Sequence, residues 1–177
     1  MKQVLWSLGV VCAFVTVAAT HTAAQAPVSI KGDVVNDLAR TKELMDKLVA
    51  AMPDDKFTYK STPAQRDFAA QVQHIAQANV MLGAMIGGKT AAPVLDKTAT
   101  TKAGVTKAMD DSFTYLSALA NEQTDQTMLE GVDAKFLGRS TRARVFFAVI
   151  GHTQDIYGQL VVYLRLNGIT PPASQRP

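Results

Sequence analysis

Apolar residues recur every three or four positions along four long stretches of this chain, which is the spacing of amphipathic helices. The stretches cover about residues 33–52, 62–86, 101–121 and 141–167. Each has an apolar stripe broad enough to cover one helix face, and none shows the strict alternation of a half-buried strand. Four such helices with moderate connections predict an all-α protein, built as an antiparallel four-helix bundle.

Residues with known local roles mark the ends of these helices. Asp33 is placed to cap the first helix, and Pro53 to end it. Thr62-Pro63-Ala64-Gln65 has the pattern of a helix start, with proline at the first helical position. Gly87-Gly88 then ends the second helix. The stretch 122–139 lacks helical periodicity and is expected to hold a turn.

Residues 1–26 have the pattern of a secretory signal peptide, which predicts a periplasmic or secreted protein. Lys2 supplies the positive start, and residues 4–19 are apolar apart from two hydroxyl side chains. Ala24-Gln25-Ala26 is a small-x-small cleavage site. The apolar run is shorter than the roughly 20 residues that a transmembrane helix needs. We therefore expect cleavage, with no stable membrane span afterwards.

The rest of the chain has the length of one domain, which we place at residues 27–170, followed by a flexible tail at 171–177. Cys12 is the sole cysteine and precedes the predicted cleavage site, so the mature chain would have no disulfide and no thiolate ligand. Without Lys2, the 18 lysines and arginines become 17, against 15 acidic residues. That balance argues against a nucleic-acid partner.

Two histidines, His74 and His152, lie toward the inward faces of the predicted second and fourth helices. Successive residues are about 100° apart around a helix, so His152 shares its face with Ile156, Gln159 and Tyr163. Either histidine alone is more simply explained as a buried side chain with a hydrogen-bond partner. Two of them on separate helices favour a shared metal pocket, since imidazole is a common ligand of zinc, nickel and iron.

A set of segments around and after the two histidines forms a recognisable pattern. The segments are Thr62-Pro63-Ala64-Gln65-Arg66, Gln73-His74-Ile75-Ala76, His152, Tyr157-Gly158-Gln159, Tyr163-Leu164-Arg165, Asn167-Gly168 and Pro171-Pro172. They resemble the DinB-like (DinB/YfiT) superfamily, and the resemblance covers nearly all of the predicted mature chain. It implies a helical bundle, in many members a divalent metal held by three histidines, and often a dimer. Some members are thiol-dependent transferases or isomerases.

The resemblance implies that His74 and His152 occupy the first two ligand positions. The third position falls on Ile156, which cannot bind a metal, so the histidine triad is incomplete. Asp155 lies about 60° round the helix from His152 and is the candidate third ligand; alternatively it is a solvated surface charge. Gln159 and Tyr163 are candidates for the pocket wall or for supporting hydrogen bonds.

Two functions follow from these residues. In the first, the protein is an exported, divalent-metal-binding bundle, with a weak site for zinc, nickel or iron, that acts as a metal-dependent hydrolase or transferase on a small molecule. In the second, the bundle has lost the metal and serves as a non-catalytic binding or assembly module, as Ile156 suggests. A homodimer is compatible with both functions. The sequence leaves open whether the protein is an enzyme.

Overall fold

A computed structural model describes residues 28–175 and shows a bundle of four long helices. The bundle helices are α1 (Ile30–Ala51), α2 (Phe68–Ile86), α3 (Lys102–Asn121) and α5 (Arg142–Leu166). Helix α2 packs against both α3 and α5, and α1 packs across α3 and α5. The predicted all-α bundle is therefore confirmed. The predicted signal peptide and Cys12 lie outside the described residues.

The apolar stripes predicted from the sequence form the core, which divides into two clusters along the bundle. One cluster contains the side chains of Phe57, Phe68 and Phe113, and the other is centred on Phe146. Burying one such side chain stabilises the fold by about 1.5–3 kcal/mol. Among the helices of residues 28–175, none combines the length and the apolar character needed to cross a bilayer.

The connection between α3 and α5 contains elements that the periodicity does not predict. It holds a one-turn helix, α4 (Asp125–Met128), and a short antiparallel hairpin of β1 (Gly131–Asp133) and β2 (Arg139–Thr141). The expectation of no strand is wrong here, because strands of three residues are too short to show alternation. The hairpin loop reverses through positive φ angles of 49° at Lys135 and 70° at Gly138.

Helix α2 begins later than predicted, at Phe68, and residues 62–65 form a turn instead of its first turn. Asp67 is the N-cap, and its carboxylate accepts a hydrogen bond of 2.8 Å from the backbone N–H of Ala70. The N–H of Phe68 donates to the backbone carbonyl of Tyr59. Because these contacts satisfy N–H groups of the first turn, the helix starts here.

The two ends of the described chain also differ from the prediction. Helix α1 begins at Ile30, capped by the Ser29 hydroxyl, which accepts from the N–H of Gly32 at 2.8 Å; Asp33 lies inside the helix. The predicted flexible tail contains a 3-10 turn, Pro172–Ser174, that contacts α1. Buried Pro171 joins this turn to the bundle.

The cap assignment predicts a contrast between two substitutions. Asp67→Ala should lower the free energy of unfolding by about 1 kcal/mol, because it leaves an N–H of the first turn without its acceptor. Thr62→Ala should change it by much less, because the Thr62 side chain caps no helix. Urea unfolding followed by circular dichroism measures both, and a larger loss in Thr62→Ala would contradict the assignment.

Candidate metal centre

The antiparallel packing of α2 against α5 brings the two candidate histidines together. The Nε2 atoms of His74 and His152 are 3.2 Å apart. Their ring centres are separated by 5.0 Å, and the ring planes meet at 67°. The predicted convergence of the two imidazoles is therefore present in the structure. Their role as metal ligands remains a prediction.

The relative position of the rings shows that the two Nε2 atoms do not point straight at one another. In a straight N–H···N hydrogen bond, the ring centres would be separated by the N···N distance plus one ring radius for each imidazole, about 5.5 Å in total. The observed separation of 5.0 Å is shorter, so the contact is bent. A bent contact weakens a hydrogen bond, whereas two ligands of one ion require a bend.

Burial lowers the pKa of His74 and of His152 below the ordinary value of 6.5. The positive charge of Arg66 lowers both pKa values further, and the Asp155 carboxylate acts in the opposite direction on His152. Both imidazoles are therefore mainly neutral near pH 7. A hydrogen bond between the two Nε2 atoms requires a proton on one of them and not on the other.

Asp155 does not complete a three-ligand set with the two histidines. Its side chain is exposed, and its Oδ2 accepts a hydrogen bond of 3.2 Å from Gln159 Nε2. Within residues 28–175, no group of three or more His, Cys, Asp or Glu side chains is arranged to hold a metal ion. Asp155 was a candidate because it lies about 60° round the helix from His152. Its carboxylate instead bonds to Gln159, one turn further along α5.

Gln159 belongs to a chain of hydrogen bonds that begins at a cation. Arg66 Nη1 donates to Gln71 Oε1 at 3.4 Å, and Gln71 Nε2 donates to Gln159 Oε1 at 2.8 Å. Through Gln159, this chain ends on the Asp155 carboxylate. Each amide thus accepts on one side and donates on the other, which fixes its orientation.

The Tyr163 hydroxyl bonds to the backbone beside the site and not to either histidine. The Tyr163 hydroxyl donates to the backbone carbonyl of Arg66 at 2.6 Å. This bond joins α5 to the segment that precedes α2. It therefore positions the backbone that carries the Arg66 side chain.

A second polar cluster lies further along the α2–α5 contact. Thr153 Oγ1 donates to Asn79 Oδ1 at 3.3 Å, and Asn79 Nδ2 donates to Ser112 Oγ of α3 at 3.2 Å. All three side chains are buried. Asn79 thus pairs with this cluster and not with His74.

One ring nitrogen of the histidine pair is buried without a partner among the described residues. The Nδ1 atom of His152 is buried and makes no hydrogen bond to any residue that the structure describes. Metal-binding histidines usually donate their second N–H to a carboxylate, carbonyl or water. Coordination through Nε2 would place a proton on this Nδ1 without such an acceptor, which disfavours tight binding.

A cavity of about 340 Å³, here called the histidine cavity, opens beside His74. Its walls include residues that the sequence did not identify as functional, above all Arg66, Gln73 and Lys97. Gln73 Nε2 donates to the backbone carbonyls of Asp96 and Ala99, at 2.9 and 3.3 Å. The position of Gln73 directly before His74 in the sequence could have marked it as a site residue. Lys97 lies in a connection without helical periodicity, so the sequence pattern could not predict which way its side chain points.

A family model of the DinB superfamily matches residues 37–160. The chain belongs to this superfamily. Among solved structures, a DinB-like protein from Bacillus cereus superposes with a TM-score of 0.70 at 18% identity, covering 80% of this chain and 95% of the other. A DinB-like protein from Bacillus subtilis superposes with a TM-score of 0.62 at 15% identity, covering 81% and 99%. None of the curated proteins matches the chain.

In this DinB-superfamily protein, the position one helical turn after His152 is part of the core. Ile156 is 5% exposed and belongs to the same apolar cluster as Phe68 and Phe113. The side of the histidine pair where a third ligand would be expected from the resemblance is therefore closed by hydrocarbon. His74 lines the histidine cavity, whereas Ile156 does not.

The lowered histidine pKa values predict how stability changes with pH. At and below the ordinary value of 6.5 the unfolded chain binds more protons than the folded chain, so the free energy of unfolding falls between about pH 7.5 and 5.5. We expect this fall in urea unfolding of the protein with a chelator present. His74→Gln and His152→Gln should each reduce it. Equal pH dependence in the wild type and both variants would contradict the analysis.

Proposed function

We propose that this protein binds a divalent cation between His74 and His152 and acts on a small molecule as a metal-dependent hydrolase or transferase. The observation that carries the proposal is the 3.2 Å separation of the two Nε2 atoms. Two nitrogens bound to one zinc ion at about 2.0–2.1 Å in a tetrahedral arrangement lie about 3.3 Å apart. The bent ring arrangement and the neutral state of both imidazoles also suit shared coordination.

The donor set predicts weak binding. Catalytic zinc sites usually have three protein ligands, and here Ile156 replaces the third. The buried Nδ1 of His152 lacks the acceptor that would orient a ligand histidine. Two imidazoles suit zinc, nickel or iron, and their number leaves at least half of the coordination positions to water or to a substrate.

The cation and the residues around the histidine pair would have separate roles in activating and binding the substrate. A bound cation supplies Lewis-acid polarisation of a substrate oxygen. The histidine cavity admits the substrate, and Arg66 places a positive charge at its wall. The hydrogen-bonded chain from Arg66 through Gln71 holds that charge near both histidines.

A non-catalytic bundle is the second candidate, and the packing of Ile156 favours it. A well-packed apolar side chain at this position gives the α5 core more stability than an unsatisfied imidazole would. In this form the histidines would be a hydrogen-bonded pair of the helix contact. The protein would then serve in binding or assembly.

Export and homodimer formation belong to the proposal under either function. Export rests on the pattern of residues 1–26. Self-association is compatible with the apolar side chains that α5 exposes, namely Phe147, Val162 and Leu166. Gel filtration and light scattering would measure the oligomeric state directly.

Metal binding can be measured by calorimetric titration of tag-free protein with Zn²⁺, Ni²⁺ or Fe²⁺. His74→Ala and His152→Ala should each weaken binding by about tenfold or more, because each removes half of the protein ligands. Gln154→Ala, an exposed change on the same helix, should leave the affinity unchanged. Absence of binding for all three metals, or equal affinity in the histidine variants, would refute the proposal.

Restoring the third histidine gives a complementary measurement. Ile156→His should raise metal affinity by about tenfold or more, because it adds a ligand one helical turn from His152. Ile150→His is the matched control, since Ile150 is also buried on α5 but lies outside this face. It should lower stability without a gain in affinity. Comparable gains in both variants would show that the site does not involve position 156.

A further inference from the structure

A second cavity adjoins the histidine cavity. This apolar cavity has a volume of about 320 Å³ and is walled mainly by Val80, Met81, Val94 and Leu95. Gln77 and Lys97 line both cavities. The two cavities are therefore neighbours across these shared side chains.

The histidine cavity carries two cations without ionic partners. Neither Arg66 nor Lys97 forms a salt bridge with any residue between 28 and 175. The acidic side chain in the wall, Asp67, is engaged in capping α2 through the N–H of Ala70. The cavity beside His74 thus has the charge that complements an anionic group.

The apolar cavity presents hydrocarbon to solvent. Val94 is 97% exposed and Met81 is 49% exposed. Removing apolar surface from water is favourable. A hydrocarbon chain lying between these two side chains would remove their surface from water.

The connection between α2 and α3 supplies part of the wall of both cavities and is hydrogen-bonded to the bundle near its two ends. Near its C-terminal end, Gln73 of α2 donates to the carbonyls of Asp96 and Ala99. Near its N-terminal end, the Glu122 carboxylate accepts from the backbone N–H groups of Lys89 and Thr90, at 2.6 and 2.9 Å. The walls are therefore preformed, which reduces the entropic cost of binding.

We propose that the joined cavities bind a small amphiphilic oxyanion. Its charged head lies between Arg66 and Lys97, beside His74, and its hydrocarbon chain lies against Met81 and Val94. The position of the head next to a bound metal ion rests on the function proposed above. The contacts of head and chain with the cavity walls are independent of a metal.

The experiment compares three probes in calorimetric titrations of the full protein, below the micelle concentration and with a chelator present. The probes are octanoate, acetate as the head alone, and 1-octanol as the chain alone. Octanoate should bind at least tenfold more tightly than either fragment, because it uses both cavities. Octyl phosphate in place of octanoate shows whether a phosphate head is preferred to a carboxylate.

Variants separate the two halves of the ligand. Arg66→Gln and Lys97→Gln should each weaken octanoate binding several-fold. Arg66→Gln should leave 1-octanol binding unchanged, because Arg66 lines the histidine cavity and not the apolar cavity. Val94→Ser, at an exposed position that tolerates a polar residue, should weaken octanoate and 1-octanol and spare acetate. Arg144→Gln and Leu166→Ser are matched controls at exposed positions outside both cavities, and should retain wild-type affinity.

The outcomes distinguish this inference from the proposed function. Octanoate binding no tighter than that of its fragments, or equal losses in the control variants, would overturn the inference while leaving the metal titration to decide the proposed function. Octanoate binding in a protein that takes up no metal would support the inference and refute the metal site. If metal binds, Zn²⁺ should strengthen octanoate binding in the wild type and not in His152→Ala; no strengthening would overturn the position of the head.

Discussion

The contact between α2 and α5 depends on polar side chains that must find partners across it. A buried polar group without a partner costs about 1–3 kcal/mol, so a slip of one helix along the other would break several bonds at once. The polar cross-links therefore set the register of α2 against α5, and the apolar core supplies most of the stability. Three cross-links join one side chain to another, namely Gln71 with Gln159, His74 with His152, and Asn79 with Thr153. A fourth joins the Arg142 side chain to the backbone carbonyl of Ile86.

This register gives the histidine pair its chemical character. The rings are close because the helices are fixed, and they are neutral mainly because burial disfavours the charged form. Nearby Arg66 acts in the same direction. A pair of neutral imidazoles can share a proton or share a cation, and the bend between the rings favours the cation. Ile156 disfavours metal binding, since its apolar side chain stabilises the core at the position where a third ligand would strengthen the site.

The sequence predicted the features that arise from periodicity. The four helices and the convergence of His74 and His152 follow from the faces that the apolar stripes define. The predicted start of α2 was wrong, because Asp67 caps the helix more effectively than the Thr62 segment. In addition, backbone carbonyls of the preceding loop accept from N–H groups of the first turn. Asp155 was misplaced because a helical wheel gives an angle and not the competing partner, here Gln159.

The walls of the two cavities could not be predicted, because they depend on a connection without periodicity. The bonds that Gln73 makes to the backbone of Asp96 and Ala99 hold the loop segment that carries Lys97. Gln73 and His74 are adjacent on α2, so the helix that carries one histidine also fixes the loop that faces it. Movement of α2 would therefore shift the imidazole and the cationic wall together. A ligand that contacts both would therefore meet a single rigid surface.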